Sequence, residues 1–330
     1  MGLAGLHQSR ATRRPRTEGE QRPRAGRWGG SGRSGRSRRR AWRQLAVAVP
    51  FVGPSLAGVL LFLLLPVVVV LLLSFVKWNF LQPPTWAGLS NFGTMTRDDH
   101  VFHALAISAY YVLLNIPAQT VIALGLAMAL NRRLPGMAAY RALYVLPYMS
   151  TPVAMAVVWS WMFDAQNGLI NHLLALVGIS GPNWLGDQAT ALPVIAMVAT
   201  WQYAGYNMLF FLAGLQTIPP QLYEAASIDG ASAWGKFRRI TLPLLNSTML
   251  FVLVTDVIGS FQVFDQVYVL TQGGPGSATN VINYQIYTTA FQNFDVGSAA
   301  AMSLLLFGVI LAVTFVQFRF FRSRTTYEVT

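Results

Sequence analysis

Six long apolar runs, separated by short polar or charged segments, organise the 330-residue chain. A membrane-spanning helix needs about 20 mostly apolar residues. No charge lies between Arg43 and Lys77, which predicts a span over about 45–76. Equivalent runs predict spans over about 104–131, 142–163, 189–217, 244–269 and 296–318, the fifth interrupted by Asp256 and Asp265. The pattern therefore predicts an all-α membrane protein of six transmembrane helices. Prolines at 50, 54, 66, 117, 152 and 193 fall within or near these runs. Spanning helices tolerate proline where neighbours satisfy the freed carbonyl, so bends are expected.

Composition agrees. Hydrophobic residues make up 54% of the chain and charged ones 11%, against about 25% charged in a soluble domain. The net charge of +12 is a property of one end: residues 1–43 hold thirteen Arg against Glu18 and Glu20. This Gly/Ser/Arg-rich segment has no apolar period and reads as a disordered basic tail held near anionic headgroups, rather than as a nucleic-acid binder. "SRRRAWRQLAVAVPF" has elements of a twin-arginine signal, yet its apolar run is too long for a signal core and five more spans follow. The organisation expected is a basic tail (1–43), a six-span domain (44–322) and a short C-terminal tail (323–330).

Orientation follows from the Lys and Arg between spans. Both tails and the 131–141 and 219–243 loops hold 22 of the 24, leaving Lys77 and Arg97 on the opposite side. Both termini are therefore expected in the cytoplasm. Trp78, Trp159, Trp161 and Trp184 lie where an outer aromatic belt would place them. Cysteine is absent and the four His (7, 100, 103 and 172) are scattered, so a metal centre is not expected. H-E-x-x-H, G-x-S-x-G and clustered carboxylates are missing, which argues against an enzyme.

One charged island stands out, "QLYEAASIDGASAWGKFRRITLP" at 221–243. Its "GASAWGKF" approaches a phosphate-binding loop, but Phe237 stands where the magnesium-binding hydroxyl belongs and "EAASID" precedes it instead of a strand. Two short helices with a hinge fit better. Pro219 and Pro220 end the fourth span and suit a new first turn. Asp229 and Gly230 break that helix, and Ala233, Trp234, Phe237 and Ile240 share one face of the next. Lys236, Arg238 and Arg239 point away from that face, and Pro243 opens the fifth span. An amphipathic linker lying in the headgroups is the plainer alternative.

The same residues carry a resemblance. Glu224-Ala225-Ala226, three residues, Gly230, nine residues, Ile240, one residue, then Leu242-Pro243 is similar to the signature loop of permease subunits of bacterial ATP-binding-cassette importers. "WAGLSNF" (86–92), "RALYVLPYMSTPVAMAVVWSWMF" (141–163) and "FQVFDQVYVLTQGGPG" (261–276) resemble sugar-type permeases of the maltose and glycerol-phosphate class, over about residues 45–322. Gln272 departs from the Gly many relatives carry there. The resemblance implies a type I importer permease fold whose coupling helix docks in a cleft of a cytoplasmic ATPase. Glu224, Ala225, Ala226, Asp229, Gly230, Trp234, Phe237, Ile240, Leu242 and Pro243 would carry that contact. It also implies a second six-span permease, a dimer of ATPase subunits holding ATP and magnesium, an extracytoplasmic solute-binding protein and a sugar substrate. This chain would bind no cofactor and perform no catalysis.

Polar residues deep in the spans are the candidates for the substrate pathway. Asp256 falls near the bilayer middle, and an intramembrane carboxylate is a functional candidate. It would either meet sugar hydroxyls or pair with another helix. Asn115 and Gln119 share one face at i and i+4 and suit interhelical hydrogen bonds. Asn207 and Gln262 are further candidates, while Asp265 is expected nearer the outer face. A self-sufficient secondary transporter or channel is the competing function; it would need coupling charges in the spans, and only Asp256 is evident.

Overall fold

The structure is a computed structural model that describes residues 49–132 and 135–322. The expected basic tail and the C-terminal tail lie outside the described residues. The chain falls into two units, Met1–Phe62 and Leu63–Thr330. In the first, residues 49–59 form helix α1, whose side chains are nearly all exposed.

The second unit is mostly helical. Its elements are α2 (Leu65–Leu73), a hairpin of β1 (Val76–Lys77) and β2 (Thr85–Trp86), α3 (Ser90–Met95), α4 (Asp99–Leu130), α5 (Met137–Met149), α6 (Pro152–Met162), α7 (Leu169–Leu176) and α8 (Ala191–Thr217). They continue as α9 (Pro220–Ile228), α10 (Ala233–Lys236), α11 (Leu242–Leu244), α12 (Asn246–Phe261), α13 (Asp265–Leu270), α14 (Ile282–Tyr287) and α15 (Val296–Arg322). The antiparallel hairpin corrects the all-α expectation. Asn79 Oδ1 accepts from the backbone N–H of Leu81 and Gln82 at 3.2 and 2.9 Å, which closes the turn. Asn91 then donates to the carbonyls of Ser74 and Val76, fastening the hairpin to α3.

Four helices among the described residues are long and apolar enough to cross a membrane: Val49–Leu73, Asp99–Leu130, Asn246–Leu270 and Val296–Phe321. The third of the six expected spans is not one helix. α5 and α6 meet at 94°, and counted as one broken span they make five. Pro152 disfavours helix at the residue before it. Thr151 is accordingly extended and caps α6, its hydroxyl accepting from Ala154 N at 3.4 Å.

The remaining expected span is α8, 27 residues long. It is not among those four, with Gln202 and Asn207 placed mid-helix, yet it is the most enclosed helix among the described residues. The fifth expected span is interrupted at residues 262–264, between α12 and α13.

α8 lies at the centre, packed against α4 along its length and against α5, with α12 in contact with both α4 and α8. Lipid-facing and core-facing helices are equally apolar, so close approach rather than hydrophobicity drives association. Small residues supply it: Ala191, Ala196, Ala199, Ala204 and Gly205 are buried on α8. A Cβ at Gly205 would overlap the Tyr144 carbonyl of α5. Gly205→Val is therefore expected to force α5 from α8 at a cost of roughly 1–3 kcal/mol. Thermal unfolding of the purified protein, followed by size-exclusion profile, should show a lower midpoint.

Candidate functional site

α4 carries Tyr111, Asn115 and Gln119 at successive intervals of four, so all three face one way. α8 offers Tyr203 and Asn207 at the same spacing, with Tyr206 beside them. α12 brings Thr255, Asp256 and Ser260. These faces converge on a cleft of about 250 Å³ that also takes in Tyr148 from α5 and residues 262–266 at the α12–α13 break. All five residues expected on the substrate pathway, Asp256, Asn115, Gln119, Asn207 and Gln262, line this one cleft. Asp265, expected near the outer face, lines it as well.

Asp256 is the hub. Asn207 Nδ2 donates to both carboxyl oxygens at 2.8 Å, and Gln119 Nε2 donates to Oδ1 at 3.0 Å. A buried carboxyl group without partners would be costly. Here two amides from two other helices supply them, tying α4, α8 and α12 together. A second set runs alongside: Asn115 Nδ2 donates to Ser260 Oγ at 3.1 Å and Thr200 Oγ1 donates to Asn115 Oδ1 at 2.9 Å. Pairing of Asp256 with other helices and exposure to a cleft therefore hold together. Among the described residues one polar atom of this group is left over: Gln119 Oε1 is buried with no hydrogen-bond partner. Gln262 stands apart, its backbone carbonyl accepting from Asn283 at 3.0 Å.

Sequence reasoning missed the aromatic wall. Tyr148 stacks on Tyr206 with ring centroids 4.1 Å apart and meets Tyr203 edge-on at 5.7 Å. Tyr203 lies one turn before Asn207 on the same helix face, which was the signal available. Tyr148 had none, because it reaches the cleft through the packing of α5 on α8. Phe264, also on the cleft, begins a row of rings through Tyr268 and Tyr287 to Phe291 and Phe80, each within 6.2 Å of the next.

A second feature lies at 219–245. α9 ends in a paired turn: Ala231 N donates to Ala226 O at 2.8 Å and Gly230 N to Ser227 O at 3.1 Å. This arrangement needs a left-handed residue after the helix, and Gly230 supplies it at φ +75°. Ser232 then caps α10, accepting from Gly235 N at 3.2 Å. Two side-chain contacts close the bend: Lys236 Nζ donates to Ser227 Oγ at 2.6 Å, and the hydroxyls of Tyr223 and Thr241 lie 2.9 Å apart.

The apolar face expected for this segment is split. Phe237, Ile240 and Leu242 pack inward against the cluster of Leu212, Leu215 and Leu245. Phe237 nonetheless keeps contact with Trp234, their ring centroids 5.3 Å apart, and a π-helical turn runs over Phe237–Thr241. Trp234 stays 67% exposed and Ile228 88%, while Glu224, Ala225 and Asp229 are also open. Pro243 lies within α11 rather than opening a span.

Residues 121–326 match the family described as binding-protein-dependent transport system inner membrane component. The chain is 33% identical over 285 residues to the trehalose/maltose transport system permease protein MalF of Thermococcus litoralis, covering 86% of this chain and 96% of that one. It is 37% identical over 244 residues to the sn-glycerol-3-phosphate transport system permease protein UgpA of Agrobacterium fabrum, covering 73% and 83%. Its fold is that of a chain from a bacterial ABC transporter for the acidic polysaccharide alginate, with a TM-score of 0.74, 24% identity, and coverage of 89% of this chain and 100% of that one. A complex of such a transporter with a pentasaccharide-bound periplasmic protein gives 0.75 at 22% identity, covering 90% and 100%. With that fold, multiple membrane-crossing helices and kinship across most of its length, the chain belongs to the family of binding-protein-dependent transport system inner membrane components and is a multi-pass permease subunit of an ABC importer.

Proposed function

We infer that this chain forms, with a second six-span permease, the membrane pathway for a sugar or oligosaccharide. One observation carries the reading: hydroxyl, amide and carboxyl groups from α4, α8 and α12 converge with a tyrosine wall on a single cleft. Sugars present hydroxyls around their rims and apolar C–H faces, and the cleft offers hydrogen-bonding groups and rings to match. The relatives named for trehalose, maltose and glycerol phosphate support the same class. α8 is the sixth span in this reading, its polar residues turned to the pathway. The Lys and Arg distribution puts both termini and the 221–243 segment in the cytoplasm.

That segment is the contact with a separate dimer of ATPase subunits, which hold ATP and magnesium; this chain binds neither and catalyses nothing. Glu224, Ala225, Ala226, Asp229 and Trp234 form the docking face. Phe237, Ile240, Leu242 and Pro243 join it to the core, and Gly230 sets the bend. An extracytoplasmic solute-binding protein delivers the substrate. No nucleic-acid partner is involved, and the membrane lipid faces the apolar outer helices. Purification in mild detergent, with the co-purifying chains identified, tests this assembly. An ATPase and a second permease are expected; their reproducible absence would refute it.

A further inference from the structure

The named relatives and neighbours handle both neutral and acidic solutes, so kinship leaves the charge of this substrate open. The cleft does not. Of the side chains lining it, two are acidic, Asp256 and Asp265, and among the described residues none is Lys, Arg or His. The innermost amides are engaged, Asn207 and Gln119 with Asp256 and Asn115 with Ser260, while Gln262 lies exposed at the α12–α13 break. A carboxyl oxygen opposite Gln119 fixes the orientation of that side chain, because only its nitrogen can donate. Its oxygen, Oε1, is therefore turned elsewhere, and it is buried with no partner among the described residues. Gln119 is 4% exposed and lines the cleft. A buried acceptor left open is costly unless a donor arrives.

We propose that the inner part of this cleft, acidic and without a cation among its described lining residues, takes a saccharide through its hydroxyl hydrogens, with Gln119 Oε1 receiving one of them, and that it excludes anionic saccharides. The proposal rests on the sugar-pathway reading above and sharpens it. A hydroxyl can satisfy Gln119 Oε1 by donating. A uronate carboxylate or an ionised phosphate brings only acceptors there, beside two acidic side chains with no cation to offset them. The tyrosine rings are neutral and offer an uncharged sugar face a surface to lie on. Asp256 and Gln119 hold the inner part of this site, and Asp265, at the start of α13, guards the α12–α13 break.

The test is uptake by proteoliposomes holding the complete transporter with its solute-binding protein. The panel comprises labelled neutral di- and trisaccharides, the corresponding uronates and glycerol 3-phosphate. The expected result is ATP-driven uptake of at least one neutral saccharide, at a rate tenfold or more above any anionic member. Gln119→Met keeps the size and removes the acceptor, and should lower that uptake about tenfold with the complex intact by size exclusion. Asp265→Asn should narrow the neutral-to-anionic ratio. Uptake of a uronate or of glycerol 3-phosphate at a rate equal to or above the neutral saccharides would overturn this proposal while leaving a sugar-related pathway standing. Uptake of no member of either class would overturn the pathway reading itself.

Discussion

Replacing Glu224 by Ala is expected to lower ATP-driven uptake by roughly ten- to a hundredfold without reducing membrane insertion of the chain. Glu224 is exposed on α9, part of the open face with Ala225 and Asp229. Among the described residues no side-chain hydrogen bond or ion pair engages it. A charge-assisted hydrogen bond to a partner contributes about 1.5–3 kcal/mol, which sets the size of the effect. Gly230→Val should act in the same direction for a different reason. A Cβ at this position would meet nothing within 4 Å, so packing is not at issue. A β-branched residue resists φ +75°, however, and the paired turn that sets α10 against α9 would be lost. Co-purification of the ATPase should fall with uptake in both variants. Near-normal uptake by both would remove the 221–243 segment from coupling.

Asp256→Leu is expected to abolish uptake and to destabilise the subunit. The substitution leaves the Asn207 and Gln119 amides buried with no acceptor, at a cost of roughly 1–3 kcal/mol for each. Asn207 is 2% exposed and its amide nitrogen donates to no other group among the described residues, so relaxation toward water is closed to it. Asp256→Asn separates structure from transport. Its side-chain oxygen can still accept from Asn207, and Gln119 can turn over to accept from the new amide. Stability should then recover largely. Uptake should not, because that rearrangement consumes the acceptor the substrate requires. Thermal midpoint and initial uptake rate, measured on the two variants together, decide the matter. Recovery of uptake along with stability would reduce Asp256 to a packing role.

Much of this was legible in the sequence wherever one strong local cause acted alone. The charge-free runs gave the positions of the long helices. Asn115 and Gln119, set four residues apart, fell on the face that lines the cleft, as helical geometry requires. Gly230 stood where a left-handed turn ends α9. The misses share a different origin, in long-range contacts. Pro152 announced a bend, but neither its 94° angle nor the packing of α5 on α8, which carries Tyr148 to the cleft, follows from local pattern. Asp265 looked peripheral by its distance along the span; the break at 262–264 turns it back to the cleft. Phe237 bridges the inner cluster and the exposed Trp234 ring, a partition that depends on Leu212, Leu215 and Leu245 packing from other elements.

The dense polar face of α8 illustrates the same point energetically. Gln202 and Asn207 stand in the middle of this helix, which in isolation counts against a span. Buried among four other helices, each has a partner: Gln202 donates to Ser150 O at 3.3 Å and accepts from Gln266 at 3.4 Å, and Asn207 donates to Asp256. Polar residues are tolerated in such a helix because the bundle, rather than lipid, surrounds them.

The central claim is that this chain conducts a saccharide only when a separate ATPase drives it. Its most direct measurement is the initial rate of labelled saccharide uptake into two sets of proteoliposomes. One holds this chain alone, and the other holds it with the second permease, the ATPases enclosing ATP, and the solute-binding protein outside. The account predicts uptake only in the complete set, and its loss when ATP is replaced by a non-hydrolysable analogue. Uptake by this chain alone, driven by an imposed ion gradient, would contradict it.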